Sequence, residues 1–228
     1  TLDHLLVFSP YDKRIRPKFG GPPLKVILNL SILSMGPVDE SKNAFSMDCY
    51  FRQSWVDERL QYNTSGVISL NLNWAFLAKI WVPDTFIING KKSFLHKITV
   101  PNRFVRVSRK GEVSYSQRLT ILAKCPMNLK KYPLDSQICP LKLGSFAYST
   151  KDILYEWKKP KAASFNKLGL AQFHLINYSS FDLIEPSFRL TESGGFRNDS
   201  TSILEFVFER QTGFFLLQIY TPLNLIVF

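Results

Sequence analysis

The segment from Cys125 to Cys139 constrains the fold of this chain more than any other stretch. It reads Cys-Pro-Met-Asn-Leu-Lys-Lys-Tyr-Pro-Leu-Asp-Ser-Gln-Ile-Cys, with strand-like sequence on both sides. Two interpretations are open: a surface hairpin closed by a disulfide, or a signature loop whose function the flanking residues must identify. In the chain-entropy model a disulfide across a loop of this length stabilises a fold by about 3 kcal/mol. Such a bond persists only in an oxidising compartment.

The third cysteine, Cys49, lies in a segment whose side chains alternate in character. The apolar members are Phe45, Met47, Cys49 and Phe51; the polar members are Asp48, Tyr50, Arg52 and Ser54. Successive side chains of a strand point to opposite faces, so we expect the apolar set in the core and the other set exposed or at an interface. Cys49 is therefore predicted to be a buried free thiol.

Strand-like patterns recur between turn residues along most of the chain. They cover residues 24–33, 45–55, 97–107, 113–121, 139–146, 153–157, 170–178, 181–190 and 202–210, with two shorter pieces within 68–81. Many short strands separated by turns are typical of a two-sheet β-sandwich. The predicted fold class is all-β, a two-sheet β-sandwich preceded by a short helix within residues 1–15.

The last sixteen residues, from Gly213 to Phe228, carry no charge. They form either a last buried strand or helix, or the first part of a transmembrane helix, which needs ~20 apolar residues. We favour the membrane helix, because the proline at position 222 is tolerated there. The predicted division is an extracellular domain over residues 1–212 and the start of a first transmembrane helix over 213–228.

The formal net charge of +11 invites a nucleic-acid interpretation. The basic residues are scattered in short pairs such as Lys91-Lys92 and Lys130-Lys131, so we expect no nucleic-acid partner. A positive field still attracts a small anionic or zwitterionic ligand. The three histidines are isolated in sequence from carboxylate or cysteine pairs at metal spacing. We therefore expect no enzyme activity, no metal and no cofactor.

Four Asn-x-Ser/Thr sequences agree with an extracellular location. Asn29 looks embedded in a strand, so the predicted glycosylation sites are Asn63, Asn177 and Asn198. No signal peptide is visible at Thr1, and we expect the sequence to begin at or after a processing point.

Two pairs of side chains suggest a ligand site. Tyr50 and Arg52 share a strand face about 7 Å apart, and Ser116 and Arg118 share the polar face of another strand. Because arginine grips a carboxylate bidentately, this set suits a ligand with a carboxylate at one end and an ammonium at the other. The alternative is that both arginines are solvated strand residues with surface carboxylate partners.

Several segments resemble GABA type A receptor subunits, which are Cys-loop receptors, the pentameric neurotransmitter-gated ion channels. These segments are Phe-Arg-Gln-Ser-Trp-Val-Asp-Glu-Arg-Leu at 51–60, Lys-Ile-Trp-Val-Pro-Asp-Thr-Phe at 79–86, Tyr-Ser-Gln-Arg-Leu-Thr at 115–120 and Cys-Pro-Met-Asn-Leu at 125–129. The block 140–157 is most similar to α-type subunits and also resembles invertebrate GABA-and-glycine-like subunits. The resemblance covers about residues 1–228 and is weakest over 158–202.

This resemblance implies a subunit of a GABA-gated chloride channel in the postsynaptic plasma membrane. Five extracellular sandwiches form a ring in a homo- or hetero-pentamer, and transmitter binds between the principal face of one subunit and the complementary face of the next. The residues matching the GABA-contacting complementary face are Tyr50, Arg52, Ser116 and Arg118. The weaker principal-face set is Phe86, Ser145, Phe146 and Phe196.

Three departures favour the complementary role. Gly144 stands where GABA-binding principal subunits carry a glutamate, and phenylalanine replaces tyrosine at Phe146 and Phe196. Ile88 occupies the position at which α-type subunits carry the histidine used by benzodiazepines, so we do not expect the usual benzodiazepine sensitivity. Two alternatives stay open: a non-binding assembly or modulatory subunit, and a soluble transmitter-binding protein of the same fold.

The resemblance also implies that the Cys125–Cys139 loop couples binding to the pore. The other predicted coupling residues are Asp39, Lys42, Asp135 and Arg210. Lys42 stands about where α-type subunits carry an acidic residue. Asp135 and Asp39 are the candidate carboxylate partners of Arg210.

Overall fold

A computed structural model describes residues 11–63, 66, 68–166, 169–170, 172–190, 196–215, 217 and 220–227. The strands in chain order are β1 (Leu24–Asp39), β2 (Ala44–Val56), β3 (Ser69–Asn73), β4 (Thr85–Ile87), β5 (Gly90–Leu95), β6 (Arg103–Ser108), β7 (Glu112–Lys124), β8 (Ser136–Ser145), β9 (Ile153–Trp157), β10 (Ala163–Phe165), β11 (Phe173–Leu190) and β12 (Phe196–Arg210). The helices are the 3-10 turns Glu58–Leu60 and Trp74–Ala78, then α1 (Thr212–Phe215) and α2 (Thr221–Val227).

The strands form two sheets, which confirms the predicted sandwich. The first sheet has the order β10-β1-β2-β7-β6-β3, with β5 also paired to β7 and β9 also paired to β1. The second sheet has the order β11-β12-β8-β4. The core between them includes Phe45 of β2, whose ring lies 5.8 Å from that of Phe206 and 6.1 Å from that of Phe208 on β12. Burying each such side chain contributes roughly 1.5–3 kcal/mol.

The predicted free thiol is confirmed. Cys49 is unpaired and buried on the inner face of β2, together with Met47 and Phe51. Arg52 on the same strand is exposed, as the alternation predicts. A strand's two faces are therefore readable from sequence wherever one of them meets the core.

Several element boundaries differ from the sequence prediction. The strand expected over 97–107 begins only at Arg103, because the chain turns after β5. The second piece within 68–81 is the 3-10 turn at 74–78, where the Asn73 side chain accepts a hydrogen bond from the Ala75 amide. The segments 170–178 and 181–190 form the single strand β11. Ser179 and Ser180 pair directly with β12, so these polar residues do not end the strand.

The turn between β6 and β7 fixes which residues of these two strands lie opposite each other at the candidate site. Gly111 has φ of +77°, a conformation that glycine adopts without penalty. A Cβ at this position would lie 2.4 Å from the Asp57 carbonyl oxygen, so the turn also needs the space. Gly111 thus forms the β6–β7 hairpin, and β7 pairs with β2 on its other side.

Both ends of the chain carry untested predictions. The helix expected within 1–15 lies mostly on residues 1–10, outside the described part, and residues 11–15 form turns and coil. From Gly213 onward the described residues include parts of α1 and α2. None of the helices in the described ranges is long and apolar enough to cross a membrane. The start of a transmembrane helix at 213–228 stays a prediction.

Candidate functional site

The pairing of β2 with β7 brings together the four residues predicted for the complementary face. Tyr50 lies opposite Arg118, and Arg52 lies opposite Ser116. Residues opposite each other on neighbouring strands share a face, with strands about 4.8 Å apart. The four side chains therefore form one block on the outer face of the first sheet, in which Ser116 is covered and only 4% exposed. Tyr50 is 38% exposed there.

A pocket of about 470 Å³ opens beside this block. Its wall is the turn that precedes β6 and the first residues of that strand. The lining residues are Tyr50, Arg52, Val100, Pro101, Asn102, Arg103, Phe104 and Ser116. The volume falls within the range of small-molecule sites. The pocket thus combines an aromatic ring, a hydroxyl and a guanidinium, as a zwitterionic ligand requires.

The Arg52 guanidinium is anchored but not neutralised by its hydrogen bonds. Its Nη1 donates to Asn29 Oδ1 at 3.2 Å and to Ser31 Oγ at 2.7 Å. Both acceptors are neutral oxygens on the adjacent strand β1. A ligand carboxylate at Arg52 would therefore form a charge-assisted hydrogen bond, which is roughly twice as strong as a neutral one.

Arg118 is held differently. Its Nη2 lies 2.6 Å from Asp48 Oδ2, and its Nε lies 3.4 Å from Asp48 Oδ1. The hydrogen bond to Asp48 raises the pKa of Arg118. His96 completes the group, with Nε2 2.8 Å from Thr120 Oγ1 and 3.5 Å from Asp48 Oδ1. Arg118 is not among the residues that line this pocket, and its role in the predicted site stays a prediction.

Phe104 is a site residue that sequence reasoning missed. It pairs with Ser116, so its ring shares the outer face with Arg52 and is substantially exposed. Arg103, the first residue of β6, pairs with Gln117 and also lines the pocket. The available signal was the Asn-Arg-Phe sequence at 102–104. This sequence could not place Phe104 at the site, because the alternation of side chains within β6 or β7 does not determine which residues of the two strands lie opposite each other.

A second, more polar pocket of about 290 Å³ adjoins the first and shares three of its residues. Arg52, Arg106 and Lys158 bring three positive charges to its lining. Nε of Arg106 donates to Asn71 Oδ1 at 2.7 Å. The outer face of β2, β6 and β7 is therefore electropositive, which favours the carboxylate end of a ligand here.

The predicted principal-face residues come from β4, β8 and β12. The rings of Phe86 and Phe146 meet edge to face, with centroids 5.6 Å apart. Ser145 is buried, and its hydroxyl donates to Asp84 Oδ1 at 2.6 Å. Phe146 and Phe196 are 62% and 74% exposed. Residues 191–195, on which the alignment of Phe196 depends, lie outside the described part.

Gly144, which stands where GABA-binding principal subunits carry a glutamate, has little space for a side chain. Gly144 pairs with Phe86, and a Cβ at Gly144 would lie 3.1 Å from Ile88 Cδ1 and 3.3 Å from the Ser200 carbonyl oxygen. Both distances are tighter than ordinary van der Waals contact. The two departures from the family pattern, at positions 144 and 88, are therefore in contact with each other.

The predicted coupling residues lie at the opposite end of the subunit from the β6–β7 turn. Cys125 and Cys139 form the expected disulfide. The Arg210 guanidinium is buried; its Nε lies 2.6 Å from Asp135 Oδ1 and its Nη2 lies 3.0 Å from Asp135 Oδ2. Arg210 Nη1 also donates to Glu40.

The second carboxylate partner of Arg210 is thus Glu40 and not Asp39, which corrects one of the two candidates. Asp39 accepts hydrogen bonds from Ser41 and Lys42 instead, and Lys42 Nζ lies 2.7 Å from it. The rings of Tyr132 and Phe173 cover the guanidinium at 4.8 and 4.5 Å. The hydrogen bond from Arg210 lowers the pKa of Asp135, so this carboxylate is charged at neutral pH.

The predicted glycosylation sites differ from Asn29 in their surroundings. Asn63, Asn177 and Asn198 are exposed. The Asn29 amide donates to the Ala162 carbonyl at 3.0 Å and accepts from Arg52. The Asn29 nitrogen, to which a glycan would be attached, is thus engaged within the protein, which agrees with leaving Asn29 out of the predicted sites. Glycosylation of the other three stays a prediction.

Comparison with known proteins gives a consistent result. Residues 2–212 match the neurotransmitter-gated ion-channel ligand binding domain. The chain is 50% identical over 186 residues to the gamma-aminobutyric acid receptor alpha-like protein of Drosophila melanogaster, covering 81% of this chain and 27% of that protein. It is 40% identical to the receptor subunit alpha-6 of Gallus gallus, covering 97% of this chain and 46% of that subunit.

A third relative is the gamma-aminobutyric acid receptor subunit alpha-4 of Rattus norvegicus. It is 38% identical over 230 residues, covering 97% of this chain and 39% of that subunit. The chain therefore spans less than half the length of each of these curated relatives.

Proposed function

The chain belongs to the neurotransmitter-gated ion-channel ligand-binding domain family, and on that premise we propose that it is the extracellular part of a subunit of a pentameric GABA-gated chloride channel. The family consists of ligand-gated channels and not of enzymes, so the expectation of no enzyme activity holds. The proposed location is the postsynaptic plasma membrane. The names of the three relatives support GABA as the ligand.

The proposed role of this subunit is to supply the complementary face of the GABA site. The observation that carries the proposal is the β2–β7 register, which sets Tyr50 and Arg52 against Arg118 and Ser116 beside the pocket of about 470 Å³. The GABA carboxylate takes a charge-assisted bond from Arg52 and a second hydrogen bond from the Ser116 hydroxyl. Its ammonium points out of the pocket toward the principal face of the neighbouring subunit.

Arg118 has a positioning role in this proposal. Its ion pair with Asp48 fixes the strand face on which Tyr50 lies, and Tyr50 is its cross-strand partner. The Tyr50 and Phe104 rings give the methylene chain of GABA an apolar surface. The crowding at Gly144 supports assigning the principal face to another subunit.

Coupling to the pore is proposed to run through Arg210. This one side chain binds Asp135 of the Cys125–Cys139 loop and Glu40 of the β1–β2 turn, and it lies just before α1. Movement of the loop or of the turn is therefore transmitted to the segment that leads toward the membrane. Two loops sharing one buried cation cannot move independently without exposing its charge.

The test is GABA gating of a receptor assembled from the full-length subunit and a GABA-binding partner. Arg52→Ala is expected to raise the half-maximal GABA concentration at least tenfold, equivalent to about 1.4 kcal/mol. Arg118→Ala is expected to do the same by releasing Tyr50. Arg109→Ala is the matched control, because Arg109 is exposed and lines neither pocket. An unchanged dose response in both site variants contradicts the complementary-face assignment.

Two further results would favour the alternatives. Surface receptors that contain this subunit but bind no radiolabelled GABA at its interface indicate an assembly or modulatory role. A full-length product without hydrophobic helices after Phe228 indicates a soluble transmitter-binding protein.

A further inference from the structure

An apolar pocket of about 210 Å³ lies between the two sheets, away from the outer face that carries the proposed GABA site. Apolar side chains of the first sheet form one wall, and Leu141 and Leu143 of β8 form the other. The first-sheet residues are Leu30, Phe51, Leu119 and Ile121. These belong to the inner faces of β1, β2 and β7, so the pocket is part of the sandwich interior.

Two polar side chains of the lining, Thr85 and Gln117, are hydrogen-bonded within the protein, and a third, Ser93, lies at the exposed edge. The Thr85 hydroxyl bonds to Gln53 and, at 2.9 Å, to the Tyr155 hydroxyl. Gln117 Oε1 accepts from the Tyr115 hydroxyl at 2.6 Å. A water molecule needs two to four polar partners to stay in a buried site. This lining offers water few free partners, and its walls favour an apolar occupant.

The pocket also has an entrance. Phe94 and Ser93 of β5 are exposed and line it, and β5 is an edge strand whose pairing is to β7. On the other side of the opening lies β4, the edge strand of the second sheet. A small molecule can therefore reach the interior between two sheet edges without unpairing a central strand.

We propose that this inter-sheet pocket is a binding site for a small neutral apolar molecule of about the size of one aromatic ring. An engineered apolar cavity of ~150 Å³ lined by Leu, Ile and Phe stays dry and binds benzene or xenon. The present pocket is larger and has the same chemical character. The occupant restores the dispersion contacts that the facing side chains lack across the gap.

The residues that line the pocket are also connected to both predicted ligand faces of the subunit. Phe86 lines the pocket and contacts Phe146 of the predicted principal face. Phe51 and Leu119 line it from the strand segments that carry Tyr50 and Arg118 on their opposite faces. The site is thus placed to modulate the proposed GABA site, although its existence does not depend on that function.

The test uses benzene as the probe and the full chain as the protein, with binding followed by isothermal titration calorimetry. Saturable binding at one site and a rise in the unfolding temperature are expected, because a ligand that binds only the folded state stabilises it. Leu119→Phe fills the pocket and is expected to weaken benzene binding at least tenfold. Leu72→Phe is the matched control, since Leu72 is a half-buried leucine outside this pocket.

Two outcomes overturn the proposal: no saturable benzene binding by the unaltered chain, or equal binding by the Leu119→Phe variant. If Leu119→Phe fails to fold by circular dichroism, Leu95→Phe fills the pocket from β5 and takes its place. Leu72→Phe is expected to bind benzene as the unaltered chain does, which shows that the effect of Leu119→Phe is local to the pocket. GABA gating is not measured, so the result is independent of the channel assignment.

Discussion

Arg210 and Asp135 are 75 residues apart in sequence, yet they form a two-bond ion pair in which both side chains are almost completely buried. The pair joins the last residue of β12 to the Cys125–Cys139 loop. Each charge would be strongly unfavourable there without the other. The contact therefore ties the loop to the end of the domain, whereas the disulfide joins the two ends of the loop to each other.

Asp135→Asn is predicted to destabilise the protein by up to about 3–5 kcal/mol, the usual cost of removing one partner from a buried ion pair, with Glu40 left as the remaining carboxylate at Arg210. Urea unfolding measures the change. Asp39→Asn is the matched control, because Asp39 binds Lys42 at the surface and its loss should have little effect. Equal effects of the two substitutions would mean that burial of the Arg210 pair has no special energetic role.

Stability should also fall in acid because of the same carboxylate. The hydrogen bond from Arg210 holds the pKa of Asp135 below its ordinary value of 3.8. Asp135 therefore contributes its full stabilisation above about pH 4, and loses it as the pH falls through the depressed folded pKa. Unfolding free energies between about pH 2 and pH 6 should decrease less steeply in Asp135→Asn than in the unaltered protein. Identical slopes would contradict this assignment.

The Asp48–Arg118 pair makes a prediction about coupling at the proposed GABA site. If Arg118 acts by positioning, Asp48→Ala and Arg118→Ala each weaken GABA gating, and the double variant is no worse than the worse single one. The coupling free energy is expected within roughly 0.5–3 kcal/mol. Dose–response curves of the four receptors measure it, with Asp48→Ala plus Arg109→Ala as an additive control. Fully additive effects of Asp48→Ala and Arg118→Ala would show that Arg118 contacts the ligand directly.

Gly144→Ala is predicted to lower thermal stability, because its Cβ would crowd Ile88 and the Ser200 carbonyl. Overpacking of this kind costs roughly 1–3 kcal/mol. Ile88→Ala in the same chain should restore part of the loss by removing the nearer contact. Gly169→Ala is the control, since nothing lies within 4 Å of a Cβ there. A harmless Gly144→Ala would leave the absence of the glutamate without a steric explanation.

The three cysteines should differ in their reactivity toward a thiol reagent. Burial raises the pKa of Cys49 to about 12, and Cys125 is bonded to Cys139. The folded protein is expected to react negligibly, and the unfolded protein without reductant should expose one thiol. Cys49→Ala should expose none under the same conditions. Labelling with Ellman's reagent counts the thiols, and a reactive folded protein would contradict the burial of Cys49.

Much of the candidate site followed from strand periodicity and family resemblance. Tyr50 and Arg52 lie two positions apart, so one face could be assigned to both before any partner strand was known. The faces of Ser116 and Arg118 followed in the same way. The structure decided between alternatives that the sequence left open: Asp48 pairs with Arg118, and Glu40, not Asp39, joins Asp135 at Arg210.

The amino-acid sequence by itself determined the fold class, the buried and exposed faces of β2, and the free state of Cys49. These properties depend on a repeat of two residues, which is local. The tertiary structure alone decided which residue lies opposite which, and so the pocket beside Arg52, the role of Phe104 and the partners of Arg210. Register and ion pairing join segments that are distant in the chain, and they depend on inter-strand hydrogen bonds and turn geometry that no single strand encodes.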